Sequence, residues 1–252
     1  MIIIKNLSEI ELMRKSGELL AEVLLLLEDA VKPGVSTADL DNLAEKFITG
    51  HGAYPTFKGY AGFPAAICAS VNEELLHGIP SKRKILREGD IISIDAGVNY
   101  KGLNTDAART FAVGKISEDA ERIIQVTEES FFRGLPHALV GNRLYDISAR
   151  IGQHIERNGF KVVTDYVGHG VGRELHEDPS IPNYGKPGTG IRLRAGMTLA
   201  VEPMVTTRSH QVKVLDDGWT VVARDGLYSA HYENTILLTE EGPEILTLKE
   251  KS

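Results

Sequence analysis

The chain has 252 residues, 42% hydrophobic and 25% charged, which is the balance of a soluble globular protein with a substantial core. A formal net charge of −7 argues against a nucleic-acid partner, and the densest basic run, Lys82-Arg83-Lys84, reads as a solvated loop. The single cysteine, Cys68, excludes an intrachain disulfide and fits a reducing compartment.

Met1-Ile2-Ile3-Ile4-Lys5 turns charged too early for a secretory signal. The longest apolar run, Val23 to Leu27, is five residues and far short of a membrane span. The expectation is a soluble, cytoplasmic protein with no membrane partner.

In chain order, Ile10, Met13, Leu19, Leu20, Val23, Leu24 and Leu27 repeat with helical period and predict a helix over 8–30. Ser8-Glu9-Ile10-Glu11 has the form of a capping box at its start, and Lys32-Pro33-Gly34 breaks it. A second helix is expected over 37–49, ending before Gly50-His51-Gly52. Residues 54–72, with Tyr54, Phe57, Tyr60 and Phe63 among glycines, read as a loop that leads into a strand. Residues 90–113 alternate about a turn at 97–104 and predict a β-hairpin. Helices are expected near 117–136 and 142–157. The remainder reads as strands near 162–167, 197–202, 211–215, 219–223 and 229–238.

Sliding the sequence against itself by 107 residues places Gly34, Asp39, Leu40, Ile48 and Gly52 on Gly141, Asp146, Ile147, Ile155 and Gly159. It also places Gly78, Pro80, Leu86, Arg87 and Gly89 on Gly185, Pro187, Leu193, Arg194 and Gly196, and Asp95 on Glu202. The expectation is a single domain over 1–252 made of two similar α+β halves, roughly 1–113 and 114–252. Each half would present a strand acid to a shared cleft.

Asp95, Asp106, His169, Glu202 and Glu233 form the candidate functional set. Each sits on a strand or strand edge bordered by Gly or Pro turns. Hard oxygen donors with one imidazole suit a divalent, carboxylate-rich metal site. Asp95 and Asp106 would be cross-strand partners if the hairpin turns at Tyr100-Lys101. Two ionised carboxylates at that spacing repel unless a cation lies between them. The bland alternative is a pair of surface acids on an edge hairpin. His169 lies in Gly168-His169-Gly170-Val171-Gly172, where the simple reading is a turn histidine bonded to its own loop. Glu202 ends an apolar strand, with a salt bridge to arginine as its plain explanation. Glu233, taken alone, reads as an exposed strand start. His77 and Trp219, taken singly, read as structural.

Taken together and in order, these segments resemble the methionine aminopeptidases. The resemblance runs from Ile10-Glu11-Leu12-Met13-Arg14 to Glu233-Asn234-Thr235-Ile236. It passes through Val31-Lys32-Pro33-Gly34-Val35-Ser36-Thr37, Ser70-Val71-Asn72-Glu73, His77-Gly78-Ile79-Pro80, Ile94-Asp95, Asp106, Gly168-His169-Gly170-Val171-Gly172, His176-Glu177-Asp178-Pro179 and Glu202-Pro203-Met204. It implies an α+β "pita-bread" fold, with two pseudo-symmetric halves and a central curved antiparallel β-sheet flanked by helices. It also implies a dinuclear metallo-exopeptidase holding two divalent ions (Co, Mn, Fe or Zn) on Asp95, Asp106, His169, Glu202 and Glu233.

By the same resemblance, Asp95 would be bidentate to one metal, Asp106 and Glu233 would bridge, and His169 and Glu202 would hold the other. A hydroxide between the metals would attack the first residue's carbonyl. Glu202 would shuttle the proton, His176 would donate to the carbonyl oxygen, and His77 would hold the backbone near the scissile bond. Tyr60, Phe63, Cys68, Leu175 and Trp219 would line a methionine pocket, beside His77 and His176.

The implied partner is the N-terminal methionine of nascent polypeptides, followed by a small second residue and met at the ribosome. The chain is expected to act as a monomer. Phe63, Leu175 and His231 depart from the family pattern, where Tyr, Phe and Gln are usual. The short gap from His169 to Glu202 and the start near the first helix suit the short type I form. Rival readings are an Xaa-Pro aminopeptidase or prolidase, and a non-catalytic peptide-binding member of the fold.

Overall fold

The computed structural model describes residues 2–249. Helix α1 (Leu7–Ala30) starts one residue before the predicted helix, because Asn6 rather than Ser8 is its cap. The Asn6 side chain accepts from the Glu9 amide at 3.0 Å, and the Glu9 carboxylate accepts from the Asn6 amide at 2.9 Å. A capping box two residues upstream thus outcompetes the predicted one. Helix α2 (Thr37–Gly50) is capped by Ser36 with Asp39 in the same reciprocal way. Helices α3 (Glu118–Gly134) and α4 (Leu144–Arg157) fall within their predicted spans.

The strands of the first part are β1 (Tyr54–Pro55), β2 (Ile67–Val71), β3 (Glu74–Leu76), β4 (Ile91–Tyr100) and β5 (Leu103–Ala112). After α4 come β6 (Lys161–Val162), β7 (Gly168–Gly170), β8 (Glu177–Ile181), β9 (Thr198–Val201), β10 (Met204–Thr206), β11 (Val212–Val214), β12 (Val221–Ala223), β13 (Ser229–His231), β14 (Asn234–Thr239) and β15 (Gly242–Ile245). All ladders among them are antiparallel.

Two predicted strands are corrected. The 162–167 strand stops at Val162, and the 229–238 strand breaks at Tyr232-Glu233, where the chain passes from one sheet to another. Pairing demands cause the break. Ser229–His231 pairs with β10, whereas Asn234 onward pairs with β9 and β15.

The frame that positions the site is a run of neighbouring strands, β2–β4–β5 and β14–β9–β7. The two blocks are joined where Ala108 and Glu233 exchange both backbone hydrogen bonds, at 3.4 and 2.9 Å. Thr235 Oγ1 ties the same seam, accepting from the Asp106 amide and donating to the Asp106 carbonyl, each at 2.9 Å.

Side chains on a strand alternate between faces. One face of this run carries Ile92, Ile94, Ala96 and Val98, buried with Leu20, Val23, Leu27, Leu40 and Ile48 of α1 and α2. In the second part, Leu199, Val201, Ile236 and Leu238 pack with Ile123, Phe131, Ile147 and Ile151 of α3 and α4. The helices cover this apolar face, and the intervening residues, the acids among them, fall on the other.

The segments 34–52 and 141–159 close with the same bonds 107 residues apart. Gly34 N donates to Leu86 O at 2.8 Å and Gly141 N to Leu193 O at 3.0 Å. The isolated bridges Ser36↔Ile85 and Arg143↔Arg192 obey the same offset. Gly34 and Gly141 both have a φ near +90°, a conformation that glycine adopts without Cβ strain.

Lys5 and Glu177 form an ion pair whose side chains are almost fully buried. It ties the first residues to β8 and has no local sequence signal.

Candidate metal centre

The hairpin β4–β5 turns through Lys101 and Gly102, whose φ of +51° and +87° are those of a two-residue turn matched to strand twist. The register therefore pairs Asp95 with Ala108, and Asp106 with Gly97. This corrects the direct cross-strand pairing expected from a turn at Tyr100-Lys101. Moving the turn centre by one residue moves every partner by two, so the acids become diagonal neighbours and still share a face.

The same face collects the rest. Cys68 pairs with Asp95, Asp95 with Ala108, and Ala108 bonds to Glu233. Asn234 pairs with Val201, which brings Glu233 and Glu202 to neighbouring positions one step further on. His169 pairs with Ala200, two residues from Glu202 and so on the same side.

Asp106, His169 and Glu233 each offer one ligand atom within 4.8 Å of the others, as do Asp95, His231 and Glu233. His169 Nε2 lies 3.8 Å from Asp106 Oδ2 and 3.6 Å from Glu202 Oε1. Its Nδ1 lies 2.8 Å from the Gly170 carbonyl, a contact that holds the proton there and turns the Nε2 lone pair inward. Asp95 Oδ1, Asp106 Oδ1 and Glu233 Oε1 are buried without a hydrogen-bond partner.

Burial raises Asp106, Glu202 and Glu233 well above the usual carboxylate range, and it raises Asp95 to about 6, with Glu202 pushing the same way. Orphaned carboxylate oxygens that cannot comfortably ionise are the signature of a place suited to cations. The donor set fits divalent metal. The arginine salt bridge considered for Glu202 is not what surrounds it; its carboxylate lies near His169 and His231.

Two residues that sequence reading passed over hold the acids in place. Arg109, half-buried, donates to the carbonyls of Ala108 and Glu233 and stacks 4.3 Å from the Tyr232 ring centroid. Asn183 Nδ2 donates to the Glu202 carbonyl at 2.7 Å. Neither lies in a motif, and only the fold brings them to the site.

A cavity of about 190 Å³ opens on the acids and is lined by Tyr60, Phe63, Cys68, His77, Leu175, His176 and Trp219 together with Asp95, Asp106, His169, Glu202 and Glu233. All twelve candidate residues thus meet at one place. Phe57, Leu76, Tyr166 and Val167 also line it and were not singled out from sequence. Phe57 belongs to the aromatic stretch read as loop, which was the available signal.

Phe57, Phe63, Cys68 and Leu175 form a small buried apolar cluster with Trp219 against it, edge-on to Phe63 at 5.1 Å. Burial raises the Cys68 thiol well above its usual range, so it acts as an apolar surface. Tyr60 Oη lies 2.7 Å from His176 Nδ1. A hydroxyl donating to Nδ1 leaves the His176 proton on Nε2. Burial, then the nearby imidazoles of His231 and His176, lowers His77 to about 4, so it stays neutral. Its backbone is left-handed, at φ +56°, and the next residue, Gly78, accepts from the Ala69 amide at 2.8 Å and donates to Ser70 Oγ at 3.1 Å. A Cβ at Gly78 would meet the Ala69 carbonyl oxygen at 2.4 Å.

Such a carboxylate-lined cleft beside an apolar cavity defines a metal-dependent hydrolase site. Residues 11–240 match the model of metallopeptidase family M24. A methionine aminopeptidase of Clostridium perfringens is 59% identical over 98% of this chain and 99% of its own length. Methionine aminopeptidase 1 of Bacillus subtilis is 52% identical over 98% of this chain and 99% of its own. Among solved structures, methionine aminopeptidase from Thermotoga maritima superposes with a TM-score of 0.97 at 49% identity, covering 99% of this chain and 100% of that one. A prolidase from Pyrococcus furiosus superposes with a TM-score of 0.81 at 26% identity, and the match spans 66% of that protein. The chain belongs to metallopeptidase family M24 and, within it, to the methionine aminopeptidases, with their α+β pita-bread fold.

Proposed function

We propose that this chain removes the N-terminal methionine from peptides and nascent proteins, favouring a small second residue, with two divalent cations (Co, Mn, Fe or Zn) at Asp95, Asp106, His169, Glu202 and Glu233. The observation that carries the reading is the convergence of these side chains, with unpartnered carboxylate oxygens, at the mouth of an apolar cavity. The relatives' names support it, and the lower similarity to prolidases leaves the Xaa-Pro reading unfavoured. When bound, the cations supply Lewis acidity and lower the pKa of water.

The protein's own residues do the rest. The cavity around Phe63, Cys68, Leu175 and Trp219 takes the methionine side chain, an apolar and polarisable thioether suited to such walls. His176, with its proton on Nε2, donates to the carbonyl oxygen of the scissile bond, where negative charge grows. His77 holds the peptide backbone beyond that bond. Glu202 takes the proton from the attacking water and passes it to the departing amine, so hydrolysis ends with a free carboxylate and a shortened chain.

The chain acts as a single catalytic domain of two halves, 1–113 and 114–252, a reading supported by the hydrogen bonds repeated 107 residues apart. It works as a cytoplasmic monomer on chains emerging from the ribosome. None of the described helices is long and apolar enough to cross a membrane.

A peptide panel tests the reading. Metal-replete protein should cut Met-Ala-Ser peptides after Met, leave Xaa-Pro peptides intact and lose activity with chelator. Cleavage of Xaa-Pro substrates, or no cleavage of any peptide, would overturn it.

A further inference from the structure

His231 was noted in the sequence only as a departure from the family pattern. In the structure its side chain is 1% exposed, and neither ring nitrogen has a hydrogen-bond partner. A neutral imidazole carries one donor and one acceptor nitrogen, and leaving both unpaired in a buried place is costly. The backbone does not explain the placement. The His231 amide and carbonyl are satisfied by Thr110 Oγ1 and do not recruit the ring.

What faces the ring is a set of carboxylates. His231 Nε2 lies 3.5 Å from Glu202 Oε2 and 3.8 Å from Glu233 Oε2, and it shares a 4.8 Å cluster with Asp95 and Glu233. With Nε2 deprotonated the ring would be repelled by the carboxylate oxygens, and with Nε2 protonated it makes no hydrogen bond to them, so neither neutral form is satisfied unless a cation lies between the groups. Two ligand atoms bound about 2.1 Å from one cation lie roughly 3.0–4.2 Å apart, depending on the angle. The His231 separations fall in that range.

So do those of His169, at 3.6 and 3.8 Å from Glu202 and Asp106. Glu202 turns Oε1 toward one imidazole and Oε2 toward the other. The two histidines flank the acid cluster in matching ways. His231 ends β13, two residues before Glu233, and from there its ring faces the carboxylates of Glu202 and Glu233.

We propose that His231 is a sixth metal-binding residue, which gives the cation beside Asp95 and Glu233 a nitrogen donor of its own, so that each of the two cation positions carries one imidazole. The inference rests on the dinuclear site proposed above. It makes the Asp95 position richer in nitrogen than the five-residue set allows, and softer nitrogen donors favour later transition metals over manganese.

The test is a calorimetric titration of metal-free protein with Co²⁺ or Mn²⁺, with the visible spectrum of the Co²⁺ form recorded in parallel. Wild type should bind two equivalents. His231→Gln should weaken one binding event at least tenfold, leave the other within twofold, and alter the cobalt absorption bands. Affinities within twofold at both sites with an unchanged spectrum would overturn the proposal.

Should the variant fold poorly, proton NMR of the wild-type two-cobalt protein decides. Strongly shifted imidazole N–H resonances from two histidines are expected; a shifted resonance from one alone would overturn the proposal while leaving the dinuclear site intact. Absence of metal binding in wild type would overturn both.

Discussion

The segments 34–52 and 141–159 are closed by the same bonds, yet the strands that follow them bring different chemistry to the centre. Leu86 and Leu193, each 1% exposed, sit at corresponding corners and anchor corresponding loops. Asp95 corresponds to Glu202 at the same offset, but the first segment adds a short acid, Asp106, on a tight hairpin, whereas the second adds His169 on β7 and Glu233 at the break between β13 and β14. A repeated frame can thus hold an unrepeated site. The frame depends on backbone closure and apolar volume, and the site depends on which residues fall at the few positions that face the cleft.

Breaking the chemistry should have the largest effects. Glu233 takes part in both clusters of ligand atoms. Glu233→Ala should lower metal affinity by more than the roughly 10–100-fold seen for outer partners, measured by titration calorimetry. Glu202→Gln keeps size and removes the proton carrier, so kcat should fall about 10²–10⁴-fold in peptide assays. His176→Ala should cost about 10²–10³-fold in kcat, the usual loss for one donor to a developing oxyanion. His77→Ala should lower turnover while metal content stays unchanged; equal loss of metal would move His77 into the ligand set.

The frame predicts smaller and symmetric effects. Leu86→Ala and Leu193→Ala should each destabilise by about 2–5 kcal/mol in urea unfolding, with metal stoichiometry retained. A large loss from one and none from the other would break the equivalence of the corners. Ser36→Ala removes the α2 cap and should cost about 1 kcal/mol.

The smallest effect is a pH slope. His77 has a folded pKa of about 4, below the 6.5 of an unperturbed imidazole. The unfolded state therefore binds more protons between pH 6.5 and 4, and the contribution of this residue to stability is lost as pH falls through that window. His77→Gln should reduce that slope in thermal melts of the metal-loaded protein.

Much of the site was legible because a strand's period of two survives small errors. Asp95 and Asp106 keep a common face although their register was misjudged by two residues. The helices were legible from their apolar period, even though Asn6 displaced Ser8 as cap. What escaped was long-range. The break at Tyr232-Glu233 arises because two different sheets claim the two ends of one apolar run. The clamp of Arg109 on the Glu233 carbonyl joins residues 124 apart in sequence, and the buried Lys5–Glu177 pair spans 172. No local pattern carries such contacts. The pairing of His231 with the acids was available in principle, since it sits two residues before Glu233, but a single histidine on a strand has many ordinary uses.

The most direct measurement is anomalous diffraction from crystals grown with excess Mn²⁺, recorded at the manganese edge. Two strong peaks are predicted, enclosed by the carboxylates of Asp95, Asp106, Glu202 and Glu233 and the imidazole of His169. No peak there, or these side chains turned outward around solvent, would contradict the account.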